Sequence, residues 1–209
     1  PERPEPVHAS PVRPVRGEAT DTRTNAQVLP GRIHVNNGFW DTYRTAWPAY
    51  VLLYPELTAE LADGFVQQYR EGGWIARWSS PGYADCMTGT SSDIAFADAH
   101  VKGVALPDPV SAYESGLRNA TVAPPFLEVG RTGNERAVFT GYVDTDTPES
   151  VSWALEAHIN DHGLAAQAEL LAEAPGTAPE DRRQLQEEAA YLRARSSNYP
   201  LLFDGLVGF

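Results

Sequence analysis

Aromatic residues are crowded into one stretch of this chain, and that crowding constrains its fold more than any other feature. Of the 21 Phe, Trp and Tyr residues in 209, eleven lie between Phe39 and Tyr83. Trp40, Tyr43, Trp47, Tyr50 and Tyr54 follow 3,4,3,4 spacing, the signature of one helical face. Asn36-Asn37-Gly38 reads as a turn before them, and Pro48 is expected to kink this helix or split it in two. A second helix fits Leu57–Arg70, with Leu57, Leu61, Phe65 and Tyr69 in step, stopped by Gly72-Gly73. Large rings in helical register need a broad apolar surface to pack against, so a helix-on-helix architecture is implied.

The remaining chain extends the helical reading. Residues 74–92 (WIARWSSPGYADCMTGTSS) read as a polar loop carrying two Trp. Ser92 or Asp93 is placed to cap a helix over Ile94–Lys102 ended by Gly103. Asp108 precedes another, Pro109–Asn119, with proline at the favoured first position. Residues 122–147 read as a long connection in which VFTGYV (138–143) is expected to form a short strand. A helix opens at Thr147-Pro148-Glu149 and is expected to break at Gly163, and the last runs from about Glu180 to Ser196. The class is mostly α, with six or seven helices. Irregular gaps between helix pairs, without a 34- or 40-residue repeat, count against a solenoid.

Residues 1–31 differ in kind. Six prolines and no aromatic leave little apolar surface to offset ordering entropy, so an extended or disordered lead-in is expected, with RIHV (32–35) as a short strand after it. The folded domain is taken to begin at residue 32 and to include the remainder through 209. Sixteen Lys and Arg against 28 Asp and Glu give a net charge of −12, which argues against a nucleic-acid surface. No apolar run is long enough to span a bilayer. A single cysteine, Cys86, excludes an internal disulfide and a cysteine-based zinc site.

Two groups of residues could carry chemistry. Asp41, Arg44, Arg77 and Asp85 lie among the aromatics of 39–83. Sugars offer C–H faces to indole and phenol rings and hydroxyls to carboxylates and guanidinium groups, so that composition suits a neutral carbohydrate. The alternative is an aromatic core with a few solvated charges. The Trp residues of the 74–83 loop favour the sugar reading, because a polar loop has no packing need for them. The acidic set Asp144, Asp146, Glu149, Glu156 and Asp161 could hold a carboxylate pair, but acidic residues at a helix start more often serve the helix dipole. His158 and His162 stand at ligand spacing, yet HINDH lacks the glutamate of a zinc protease helix.

Several long blocks resemble glycoside hydrolase family 92, the calcium-dependent exo-α-mannosidases. They are NNGFWDTYRTAWPAYVLLYP (36–55), residues 64–103, ESVSWALEAHINDHGLAAQ (149–167) and RSSNYPLLFDGLVGF (195–209), in the family's order. The resemblance implies part of an (α/α)6 toroid and inverting removal of terminal α-linked mannose, α-1,2 in the first instance, from a glycan outside the cytoplasm. It places Trp40 and Asp41 in the pocket of the terminal sugar, with Arg77 and Trp78 at the same mouth and Arg44 and Glu156 as further candidates. The family's acid, calcium and base segments (TEGN-, NEP- and GNDD-like) do not occur in this sequence. The implied calcium therefore belongs to a parent enzyme, no residue here is assigned as acid or base, and the isolated chain is expected to be inactive. A carbohydrate-binding module without catalysis, or a helical scaffold that binds protein through Trp74 and Trp78, would use the same residues differently.

Overall fold

The computed structural model describes residues 5–12 and 26–208. Residues 13–25, most of the interior of the lead-in, lie outside the described residues. The flanking parts form a two-stranded antiparallel ribbon, β1 (Val7–Ala9) with β2 (Val28–Pro30). The ribbon is fastened to the helices by His8, whose ring bonds Glu71 at 2.7 Å and the Gly31 carbonyl at 3.0 Å. It also buries Val12 and Ala26, which composition did not foresee. The strand expected at 32–35 does not form. His34 is latched to the next helix instead, its N–H donating to Gly64 O (2.9 Å) and its carbonyl accepting from Gln68 (2.8 Å).

β3 (Asn37–Gly38) leads into a short helix, α1 (Phe39–Thr42), followed by α2 (Ala46–Leu53) and α3 (Pro55–Gly72). The aromatic stretch is split as expected, but the break falls at residues 43–45, where Thr45 has φ −131° and ψ −82°, and not at the proline. Pro48 is the third residue of α2, where its missing N–H has no intrahelical acceptor to lose. The buried face is Phe39, Tyr43, Trp47 and Val51, whereas Tyr50 and Tyr54 are exposed, so the true core stripe is rotated from the expected one. Phe39 stacks on Trp47 at 5.6 Å and meets Phe65 and Phe96 edge-on.

A hairpin, β4 (Trp78–Ser79) with β5 (Tyr83–Ala84), pairs through β4 with β3. There follow α4 (Ser92–Val101), α5 (Pro109–Thr121), α6 (Asn134–Thr140), α7 (Ser150–Glu173), α8 (Pro179–Ser196) and a 3-10 turn at Tyr199–Leu202. Asp108 caps α5, accepting from Ser111 N–H at 3.0 Å as its sequence position suggests. Two expectations fail. VFTGYV is not a strand, because residues 134–140 are helical and Phe139 stands exposed. α7 runs unbroken through Gly163, whose missing side chain is what lets α4 approach. A Cβ there would sit 2.5 Å from Ile94 Cδ1 and 3.3 Å from Ala97 Cβ.

Contacts between the helices set their directions. Glu156 lies against Gly89, Asn160 against Thr90 and Gly163 against Ile94 and Ala97, so α4 and α7 run parallel. Tyr113 bonds Glu188 and Arg195 bonds the Ala120 carbonyl, so α5 and α8 are parallel too. Asp161 with Arg195, and Asp93 with Asn119, make each α4/α5 and α7/α8 pair antiparallel. The result is mostly α: one layer of α2, α4 and α7, and a second of α3, α5 and α8 running the other way. One apolar core joins the α1–α4 region; another lies between α5, α7 and α8. Among the described residues, no helix is long and apolar enough to cross a membrane.

Candidate functional site

The helix directions bring the N-terminal ends of α2, α4 and α7 to one end of the molecule. The loops that enter these helices carry the residues singled out by sequence. Glu156, in the second turn of α7, is buried. One carboxylate oxygen accepts from the Tyr43 hydroxyl at 3.0 Å and the other from the Arg44 guanidinium. Arg44, half exposed, lies 4.2 Å from the Tyr43 ring centroid and 5.5 Å from that of Trp40. The stack offers cation–π attraction along with the ion pair. Burial and the adjacent Glu156 charge push the Tyr43 hydroxyl well above its usual range, so it stays protonated and donating.

The backbone of the loop before α4 closes over this carboxylate. Gly89 has φ +82°, and a Cβ there would fall 2.7 Å from the Glu156 Cβ, so both its conformation and its contact demand glycine. Trp78 is brought to the same end by β3–β4 pairing, opposite Gly38, and its ring lies against that glycine. Asp41 is exposed in α1 beside Trp40, and its carboxylate has no hydrogen-bond or ion-pair partner among the described residues.

Arg77, the residue before β4, turns into the interior. Arg77 is 3% exposed and stacks 4.8 Å over Trp153, with one guanidinium nitrogen on Asp85 (2.5 Å) and another on the Gly130 carbonyl (3.2 Å). Burial lowers its pKa, partly offset by Asp85. Arg77 thus braces the hairpin against α7 from behind. Trp74 is also buried, under Arg118 at 4.7 Å, so the packing need that the loop's polarity concealed does exist, and Trp74 is not available as a surface anchor.

Beneath the site lies a polar network that sequence reasoning missed. Arg131, from the 122–133 connection, donates to Asp161 (2.6 Å), Asp93 (3.1 Å) and Thr90 (3.2 Å). Arg195 donates to Asp161 at 2.5 and 2.7 Å, and Asn119 donates to Asp93 at 2.8 Å. Burial raises the Asp93 pKa to about 6 against the pull of Arg131. Burial acts on Asp161 in the same sense, but two guanidinium groups outweigh it and hold that carboxyl below its usual range. Asn119, the asparagine of an Asn-Ala-Thr sequence, is wholly buried in this network.

The other candidates fall apart. Asp144 and Asp146 share Arg136 on the surface, Glu149 is exposed at the start of α7, and His162 bonds Arg193. His158 is buried and its pKa lowered by burial. Among the described residues no group of three or more His, Cys, Asp or Glu is placed to hold a metal ion.

Two antiparallel helix layers thus gather aromatic and charged residues at the end where parallel helices begin. Residues 14–209 match the glycosyl hydrolase family 92 catalytic domain. The chain belongs to glycoside hydrolase family 92, and its fold is part of that family's (α/α)6 toroid. Among solved structures it is similar to a family 92 inverting mannosidase of Bacteroides thetaiotaomicron VPI-5482, at 29% identity and a TM-score of 0.80 over 98% of this chain. A family 92 α-mannosidase of the same species, in complex with mannoimidazole, matches 86% of the chain at 22% identity and a TM-score of 0.68. The chain spans about a quarter of the length of these relatives, 25% of the first and 22% of the second. No curated protein matches it.

Proposed function

We propose that this chain supplies part of the terminal-mannose pocket of an inverting exo-α-mannosidase that acts outside the cytoplasm on mannose-capped glycans, α-1,2-linked ones first. The reading is carried by one observation: in a chain of this family, Trp40, Asp41, Arg44 and Trp78 collect at the end where α2, α4 and α7 begin. Trp40 and Trp78 offer ring faces for the C–H side of a sugar, and the free Asp41 carboxylate offers acceptors for its hydroxyls. Inversion needs one carboxyl to protonate the leaving oxygen and a second to activate water from the opposite side. Neither role is assigned to a residue here. The resemblance assigns the parent enzyme's calcium to a segment that does not occur in this sequence. Pocket groups without a proton-transfer pair stabilise ground and transition states alike and give almost no turnover.

The test is a titration of the purified chain with methyl α-D-mannopyranoside and methyl α-D-glucopyranoside, followed by tryptophan fluorescence, beside a mannose-release assay with and without calcium. Saturable binding that prefers the mannoside and is lost in Trp40→Ala and Asp41→Ala, with no released mannose, is the expected result. Failure to bind the mannoside, or calcium-dependent release of mannose by the chain alone, would overturn the reading.

A further inference from the structure

We propose that Glu156 is a positioning residue, which acts on a sugar through Arg44 and Trp40 without touching it. The proposal rests on the pocket reading above and deepens it. Both oxygens of the carboxylate are engaged, one by the Tyr43 hydroxyl at 3.0 Å and one by Arg44. Its stem is covered by Gly89, and its side chain is only 9% exposed. Each oxygen already has a donor, and burial beneath the Gly89 backbone leaves the remaining lone pairs little room to meet a sugar hydroxyl.

What Glu156 does instead is fix a surface. Arg44 is a long side chain, 46% exposed, and unanchored it would spread over many rotamers. The bond to Glu156 pins the guanidinium from beneath, while the Tyr43 and Trp40 rings flank it at 4.2 and 5.5 Å. Tyr43 is itself buried and donates to the same carboxylate, so Glu156 ties the α1–α2 joint to α7 across 113 residues of sequence. The Arg44 plane and the Trp40 indole are thereby held in one orientation at the lip where Asp41 stands. A preorganised stack loses less freedom when a sugar docks, which is where the gain in affinity arises.

The experiment uses the full 209-residue chain labelled with 5-fluorotryptophan, its Trp40 signal assigned by Trp40→Phe. Glu156→Gln and Arg44→Met are each expected to shift and broaden the Trp40 signal, and the double variant to do no more than either alone. The Trp47 and Trp153 signals should stay in place, which a general structural role for Glu156 would not allow. In parallel, each single variant is expected to weaken methyl α-mannoside binding about tenfold, again without additivity. An unmoved Trp40 signal in Glu156→Gln, or additive effects in the double variant, would overturn the positioning role. If the unmutated chain binds no mannoside, the pocket reading fails, while the fluorine signals still decide whether Glu156 positions Trp40.

Discussion

Replacing Asp161 with alanine tests whether the buried network holds the two helix layers in register. The carboxylate is 1% exposed and receives three short bonds, from Arg131 at 2.6 Å and from Arg195 at 2.5 and 2.7 Å. Removing it leaves Arg195 with the Ala120 carbonyl and the Tyr191 hydroxyl, and Arg131 with Thr90 and Asp93. Arg195 Nε and Nη2 and Arg131 Nη1 lose their acceptor, and one positive charge is left buried without its counter-ion. Breaking such a pair costs about 4 kcal/mol, against a total stability of about 5–15 kcal/mol for an ordinary domain. Urea unfolding at pH 7, followed by tryptophan fluorescence, reads the change directly. With a slope of about 2 kcal/mol per molar, the midpoint should fall by about 2 M with little change in slope. The double variant Asp161→Leu/Arg195→Met removes both charges together and should recover much of that loss, since apolar replacement of a whole buried pair is near neutral. A midpoint shift below about 0.5 M in Asp161→Ala, or a double variant no better than the single, would refute the assignment.

Three further outcomes follow from particular contacts. Asp93 is more readily protonated in the folded state (about 6) than in the unfolded chain (3.8), so its contribution is fully present below the unfolded value and lost as pH rises through the folded one. That change is worth about 3 kcal/mol, and the slope of stability between about pH 4 and 6 should flatten in Asp93→Asn; equal slopes would count against it. Gly89→Ala forces a side chain into a left-handed backbone and onto Glu156, and should cost about 2–4 kcal/mol by the same urea assay. Val151, Leu155 and Ile159 form an exposed stripe on α7, and Tyr50, Leu53, Tyr54 and Leu57 another at the α2–α3 corner. Sedimentation of the purified chain should reveal concentration-dependent association that the triple change to serine on α7 reduces.

Where a local signal decides the structure, the sequence was sufficient. Asp108-Pro109 marked the start of α5, and Gly73, with φ +80°, ends α3 where the Gly72-Gly73 pair was expected to stop it. Where a distant partner decides, it was not. Trp40–Tyr54 spacing suggested a stripe, but Phe65 and Phe96 selected Phe39, Tyr43 and Trp47 as the core side. Gly163 looked like a breaker because nothing local reveals that α4 passes within contact of it. The β-branched and aromatic run 138–143 suggested a strand, yet the left-handed Gly133 and Gly141 bracket a short helix whose Phe139 faces solvent. For the candidate site, only family resemblance singles out the Trp40-Asp41 pair, while the Arg44–Glu156 contact joins residues 112 apart and leaves no local trace.

The placement of backbone strain separates the end that carries the candidate site from the rest of the molecule. Among the described residues, three that are not glycine adopt positive φ: Asn36 (64°), Met87 (61°) and Glu149 (58°). Each such conformation costs on the order of 1–2 kcal/mol and persists only where surrounding contacts over-determine it. All three stand ahead of elements that meet at this end: Asn36 before β3 and α1, which carries Trp40 and Asp41, Met87 in the loop whose Gly89 covers Glu156, and Glu149 at the start of α7, which carries Glu156. None of them lies at the opposite end of the layers, where α2, α4 and α7 finish. Contacts that could offset the cost lie close by, in the Arg77 brace, the Glu156 anchor and the Asp93–Arg131–Asp161–Arg195 network. The buried charges lie just beneath two of these loops: Arg131 ties Thr90 and Asp93, at the entry to α4, to Asp161 in α7.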